Sequence, residues 1–142
     1  MSDPFNLRRF VKAQDPVYSR VLAELRHGEK RSHWMWFVFP QIQGLGSSPL
    51  AECYAMSSLD EARAYLDHPQ LGPRLIECCE ILETIGDRSA EEIFGYPDVD
   101  KLRSSMTLFA RASDGETIFT RILDKFYAGE ADPQTLERIG RS

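Results

Sequence analysis

Apolar residues recur along most of this chain at intervals of three and four, the spacing that lines one face of an α-helix. The longest stripe is Leu71, Leu75, Cys78, Leu82 and Ile85, which predicts a core-facing helix stopped by Gly86. Val17, Val21, Leu22 and Leu25 predict another, opened by Asp15-Pro16 as N-cap and first helical residue and closed by Gly28. Leu7, Phe10 and Val11 make a short helix ahead of it. Ser58-x-x-Glu61 and Ser89-x-x-Glu92 match the capping box, in which two side chains satisfy two free backbone donors. They open helices running to His68-Pro69 and to Phe94-Gly95. Val99, Leu102, Met106 and Phe109 follow Asp98 at helical spacing. Asp114 is placed to cap a helix with a broad apolar face from Ile118 to Tyr127, and Asp132-Pro133 opens a last one through Leu136 and Ile139.

No alternating run bounded by a hairpin turn is present, so no strand is predicted. The links between stripes are short, as in a helical bundle. The expected fold is all-α: a compact multihelical single domain over residues 1–142, with about seven to nine helices around a buried aromatic segment.

That segment lies in SHWMWFVFPQIQGLGSS, residues 32–48. Six apolar residues in a row do not reveal a period, so helix and strand both fit. Without other strands, a lone strand would leave its backbone unpaired. The reading is therefore Ser32 as N-cap, a short buried helix over 33–38, and an extended Phe39 before Pro40. Residues 34–39 then form core, and any site lies on the polar margins, at His33 and at 41–48. The irregular stretch 40–48 is the longest loop, where function often resides.

Composition narrows the partners. A chain of 142 residues is one domain by size, where ~100–150 is common. It can bury ~68% of its unfolded surface without a metal or disulfide. The net charge is −5, with residues 1–33 at +3, 34–100 at −9 and 101–142 at +1. Nucleic-acid binding is not expected of an acidic whole, although the flanking segments can build a local anion site. No apolar run is long enough for a membrane span, and the N-terminal residues lack the apolar core of a signal peptide, so a cytoplasmic protein is expected. Cys53, Cys78 and Cys79 match no zinc or redox spacing and read as buried, reduced thiols; no metal and no cofactor is expected.

Three clusters can carry chemistry. Lys30, His33 and Gln41 bracket the aromatic run, and His33 is the candidate acid or base because its ordinary pKa lies near neutrality. Polar residues also gather at helix ends for structural reasons alone. Gly44-Leu45-Gly46-Ser47-Ser48-Pro49 runs a glycine-serine loop into a helix start, where free N–H groups suit a phosphate or carboxylate. It lacks the lysine of a P-loop, and a tight turn with a cap explains it equally. In FGYPDVDKLRSSMTLF, residues 94–109, Lys101, Ser104 and Ser105 share a helical face opposite Leu102, Met106 and Phe109. Two serines inside a helix signal ligand contact or close helix packing. No nucleophile elbow, H-E-x-x-H or Ser-x-x-Lys pattern occurs, so no reaction is assigned.

KRSHWMWFVFPQIQGLGSS, YLDHPQLGPRLIECC and FGYPDVDKLRSSMTLF, in this order, resemble the bacterial domain-of-unknown-function family 1810, often labelled calpastatin. The resemblance spans roughly residues 3–128 and takes in His33, Gln41, Gly44, Gly46, Ser47, Arg74, Lys101, Ser104 and Ser105. It implies an all-α multihelical fold, as in a mycobacterial conserved hypothetical protein, and no settled activity. Calpastatin itself is a disordered protease inhibitor, whereas periodic stripes and a sizeable core are the opposite of a disordered composition.

Two functions follow. In the first, Lys30, His33, Gln41, Gly44, Gly46, Ser47, Ser48, Arg74, Lys101, Ser104 and Ser105 converge on a small anionic ligand of nucleotide-like kind, bound and open to reaction, with an aromatic ring stacking on it. In the second, the protein is an interaction module with an apolar patch, and these polar residues are structural. The oligomeric state is not encoded in these patterns.

Overall fold

A computed structural model describes residues 3–140. Among them are ten helices: α1 (Arg8–Gln14), α2 (Tyr18–Arg26), α3 (Met35–Val38), α4 (Pro49–Cys53), α5 (Leu59–Asp67), α6 (Leu71–Thr84), α7 (Ala90–Phe94), α8 (Asp98–Ala112), α9 (Ile118–Tyr127) and α10 (Pro133–Gly140). The all-α architecture matches the apolar periodicity. Three of the ten are single turns. α8 is central, packing on α5, α7, α9 and α10, while α6 packs on α2, α5 and α9. Position explains the composition of α8. Residues 104–109 are buried on every side, so two serines and a threonine sit where bulkier side chains would hold the neighbouring helices apart.

Several helix ends follow the local signals. Gly28 adopts φ 70° after α2, and Glu29 N–H reaches back to Glu24 O, so the last turn closes as a Schellman motif. The Ser89 and Glu92 side chains complete their box. Ser58 accepts from Glu61 N–H, but the Glu61 carboxylate turns to Ser57 instead, taking its N–H and hydroxyl.

Other ends differ, the first of them because a tertiary partner takes the capping group. Asp15 closes α1 rather than opening α2, and its carboxylate pairs with Arg74 at 2.8 Å. Thr117, not Asp114, precedes α9. α6 ends when Ile85 turns extended, without a left-handed Gly86. Cys78 and Cys79 are buried, with burial pushing the Cys78 thiol up to about 12, but Cys53 is exposed. A single parallel bridge, Ile42 with Met56, is the nearest approach to a strand among the described residues.

The aromatic run starts its helix later than Ser32. Trp34 occupies the N-cap of α3, and the Ser32 hydroxyl donates to Glu24. The Glu24 carboxylate also accepts from Arg31 N–H at 2.7 Å, Ser32 N–H at 3.0 Å and the Trp34 indole at 2.9 Å. Burial works to raise the Glu24 pKa, but the Ser32 hydroxyl, the two backbone N–H groups and the indole outweigh it and hold the carboxyl down to about 2. Trp34 then packs against Phe39 and Phe94.

A carboxyl depressed from 4.5 to about 2 stabilises the fold above its unfolded value, and that contribution is lost as pH falls through the folded value. We therefore predict that Glu24→Gln loses on the order of 3 kcal/mol at pH 7 in urea unfolding, the free-energy equivalent of this shift. The gap to the wild type should narrow between pH 4.5 and 2. A gap that stays constant over that window would refute this role for Glu24.

Candidate functional site

The glycine-serine loop is held at both ends. Gln43 N–H donates to Met56 O and Met56 N–H to Gln41 O, both at 2.8 Å, so the bridge closes the 41–56 segment on itself. From outside, the Arg9 guanidinium donates to Cys53 O at 2.8 Å and Ala55 O at 3.0 Å, and pairs with the buried Glu61 at 2.9 Å. Ser48 accepts from Ala51 N–H at 3.1 Å and Pro49 opens α4, as expected of this dipeptide. The helix is only five residues long and its cap is filled, so its N-terminus contributes little as an anion site.

The loop borders two adjoining cavities. The first, of about 400 Å³, has Trp36 and Tyr54 as aromatic walls and the amides of Gln41 and Gln43 between them. Burial raises the Tyr54 pKa, which keeps its phenol a neutral donor. Gln43 donates its amide to Ser57 O at 3.3 Å, while the Gln41 amide makes no hydrogen bond among the described residues. Arg138 of α10 closes this cavity. Its guanidinium lies against Gly44, where a Cβ would stand 2.7 Å from Cζ. Among the described residues it makes no hydrogen bond or ion pair.

The second cavity, of about 800 Å³, shares Gln41, Gly46 and Ala51 with the first. Ser47 and Ser48 line it from the loop, Tyr96, Asp100, Lys101 and Ser104 from the 94–109 segment, and Asp132 and Gln134 from the start of α10. Asp132 Oδ2 accepts from Ser104 Oγ at 3.1 Å and Thr135 N–H at 3.0 Å, which ties α10 to α8. Arg103 adds to this tie by donating to Glu130 O and Ala131 O. Lys101 sits 5.2 Å above the Trp36 ring and 3.6 Å from Asp98.

The fold thus brings Gln41, Gly44, Gly46, Ser47, Ser48, Lys101 and Ser104 to one cleft. Four candidates line neither cavity. Lys30 is buried against Asp98 at 2.8 Å and donates to Ser32 O at 2.6 Å, bracing the aromatic segment from below. His33 is exposed, its ring 6.5 Å from that of Trp36. Arg74 is held by Asp15 and by the Tyr18 ring at 4.9 Å. Ser105 is fully buried, with a hydroxyl that has no hydrogen-bond partner among the described residues. The expectation that residues 34–39 are all core needs correction. Trp36 is only half-buried and walls the first cavity, because a single helical turn cannot direct six side chains inward. Sequence reasoning missed Tyr54, Tyr96 and Arg138. None carries a local signal, since Arg138 is one more polar residue on the outer side of an amphipathic helix.

A family model described as "Protein of unknown function (DUF1810)" matches residues 4–139. The chain belongs to the DUF1810 family. Its fold is similar to the crystal structure of the conserved hypothetical protein Rv1873 from Mycobacterium tuberculosis, with 59% identity and a TM-score of 0.95 over 97% of this chain and 99% of that one. Comparison with curated proteins finds no match. Among the described residues of this DUF1810 chain, no helix is long and apolar enough to cross a membrane, and no group of His, Cys, Asp or Glu is arranged to hold a metal ion.

Gly44 has φ 93° and supports the arginine, so Gly44→Ala should destabilise by about 1–2 kcal/mol from backbone strain and displace Arg138. Gly86 has an ordinary φ and open space around it. Gly86→Ala should be neutral or stabilising by up to about 1 kcal/mol. Equal urea midpoints for the two variants would contradict this assignment.

Proposed function

We propose that this chain is a cytoplasmic protein that binds a small anionic metabolite with a planar, nucleotide-like ring in the cleft between the 41–48 loop and α10. The observation that carries the proposal is Arg138. A guanidinium with five donors and no acceptor among the described residues closes a cavity whose other walls are two aromatic rings and two amides. A planar ring suits Trp36 and Tyr54, the amides suit its polar edge, and the guanidinium suits a carboxylate or phosphate. Lys101, held above Trp36, adds positive charge to the same rim. The acid on this wall, Glu52, is exposed, as is Arg138, and neither makes an ion pair with the other. Three unpaired cysteines suit a reducing compartment. The large exposed apolar side chains Leu50, Ile76, Tyr96 and Leu136 stand on separate elements, which favours a pocket over a flat docking face.

No catalytic role is assigned to His33, which reaches the cleft only through its neighbour Trp36. A thermal-shift series with adenosine monophosphate and inorganic phosphate tests the reading. Both should raise the melting temperature of the wild type. Arg138→Ala should weaken binding roughly 10- to 100-fold, the loss expected for a charge-assisted hydrogen bond. Because Arg138 has no hydrogen-bond partner among the described residues, the variant should fold. No shift with any nucleotide or phosphate compound, or an Arg138→Ala protein that binds like the wild type, would overturn the proposal.

A further inference from the structure

We infer that the second cavity is a subsite for a polyhydroxylated group, so that the ligand is a sugar-bearing anion. This deepens the anion-binding reading by naming the rest of the ligand, but it rests on different residues. The larger cavity is rich in hydrogen-bonding groups that the fold leaves unused. The Asp100 carboxylate and the Gln41 and Gln134 amides make no hydrogen bond or ion pair among the described residues, and the Asp132 carboxylate is engaged through Oδ2 alone. Carboxylate oxygens accept from hydroxyl groups through charge-assisted hydrogen bonds, and amides both donate and accept, which is the complement a run of sugar hydroxyls requires.

Tyr96 adds the apolar half of such a site. It borders the cavity with 79% of its surface exposed, the highest value among the large hydrophobic side chains of the described residues. An exposed ring beside carboxylates and amides offers a flat face for the C–H side of a sugar while its edge stays polar. Asp100 and Asp132 are balanced on this lining by Lys101 and Arg103, so the cavity carries no net charge, which suits an uncharged group. The two cavities adjoin at Gln41, Gly46 and Ala51, so a ligand that reaches over this shared rim can place its charge at Arg138 and its hydroxyls beside Asp100 and Tyr96.

The test uses neutral sugars, which need no anion site. Saturation-transfer NMR with D-ribose and D-glucose is recorded on the full chain and on Tyr96→Ala, Asp100→Ala and Arg138→Ala. Tyr96 and Asp100 are exposed, so these variants should fold, with helical circular dichroism as the check. The expected result is transfer to at least one sugar, a fall of several-fold in the Tyr96 or Asp100 variant, and no change in the Arg138 variant. Absence of transfer to both sugars overturns the inference. So does a signal unchanged by both Tyr96→Ala and Asp100→Ala, or one lost in Arg138→Ala, which would move the sugar to the first cavity. The anion-binding reading fails separately, if phosphate and nucleotide binding prove indifferent to Arg138.

Discussion

The Glu24 carboxylate is the fixed point from which the cleft is built. It takes the N–H groups of Arg31 and Ser32, the Ser32 hydroxyl and the Trp34 indole, and so clamps the turn that leads into the aromatic segment. A buried carboxylate is tolerated only when hydrogen bonds replace its lost hydration, and here donors on one short stretch supply them. Trp34 is thereby aimed into the core against Phe39 and Phe94. With Trp34 inward, Trp36 falls on the outer side of α3, where it becomes cavity wall. Lys30, just before the clamp, pairs with Asp98 at the start of α8, and Lys101 on the same helix covers Trp36. One anchored turn therefore sets the relation between the first motif and α8.

The opposite wall depends on a second buried carboxylate. Glu61 orients Arg9, which holds the backbone after α4 by two carbonyls, and the Ile42–Met56 bridge pins the loop from within. The glycine-serine loop is thus a supported rim. Asp132 performs the same task for α10, joining Ser104 of α8 to the first turn of the last helix. In each case an acid inside the fold organises backbone donors or a neighbouring side chain, while the unused polar groups point into the cleft.

Much of the helical plan was legible in the chain because it is local. The stripe from Leu71 to Leu82, the Ser89 box, the Gly28 stop and the Asp132-Pro133 start involve residues within a turn or two of each other, and all appear where the spacing puts them. The misplaced ends at Asp15 and Ser32 share a cause. Both side chains are good caps in isolation, but Arg74 and Glu24 offer partners that a local reading does not include. The two serines of α8 show how a correct signal can divide. Ser104 reaches the cleft, while Ser105, one position on, is rotated about 100° around the helix and packs into the core.

What the sequence determined by itself is the all-α class, most helix positions, and two of the segments that form the cleft, since periodicity and turn chemistry act over a few residues. Only the tertiary structure decided which polar groups meet. Lys30 and Arg74 carry the same charge as Arg138, yet they are committed to Asp98 and Asp15 while Arg138 meets no acid among the described residues and faces the cleft. That difference depends on which acid each cation encounters once distant helices pack. It is a property of long-range contacts, which leave no periodic trace along the chain.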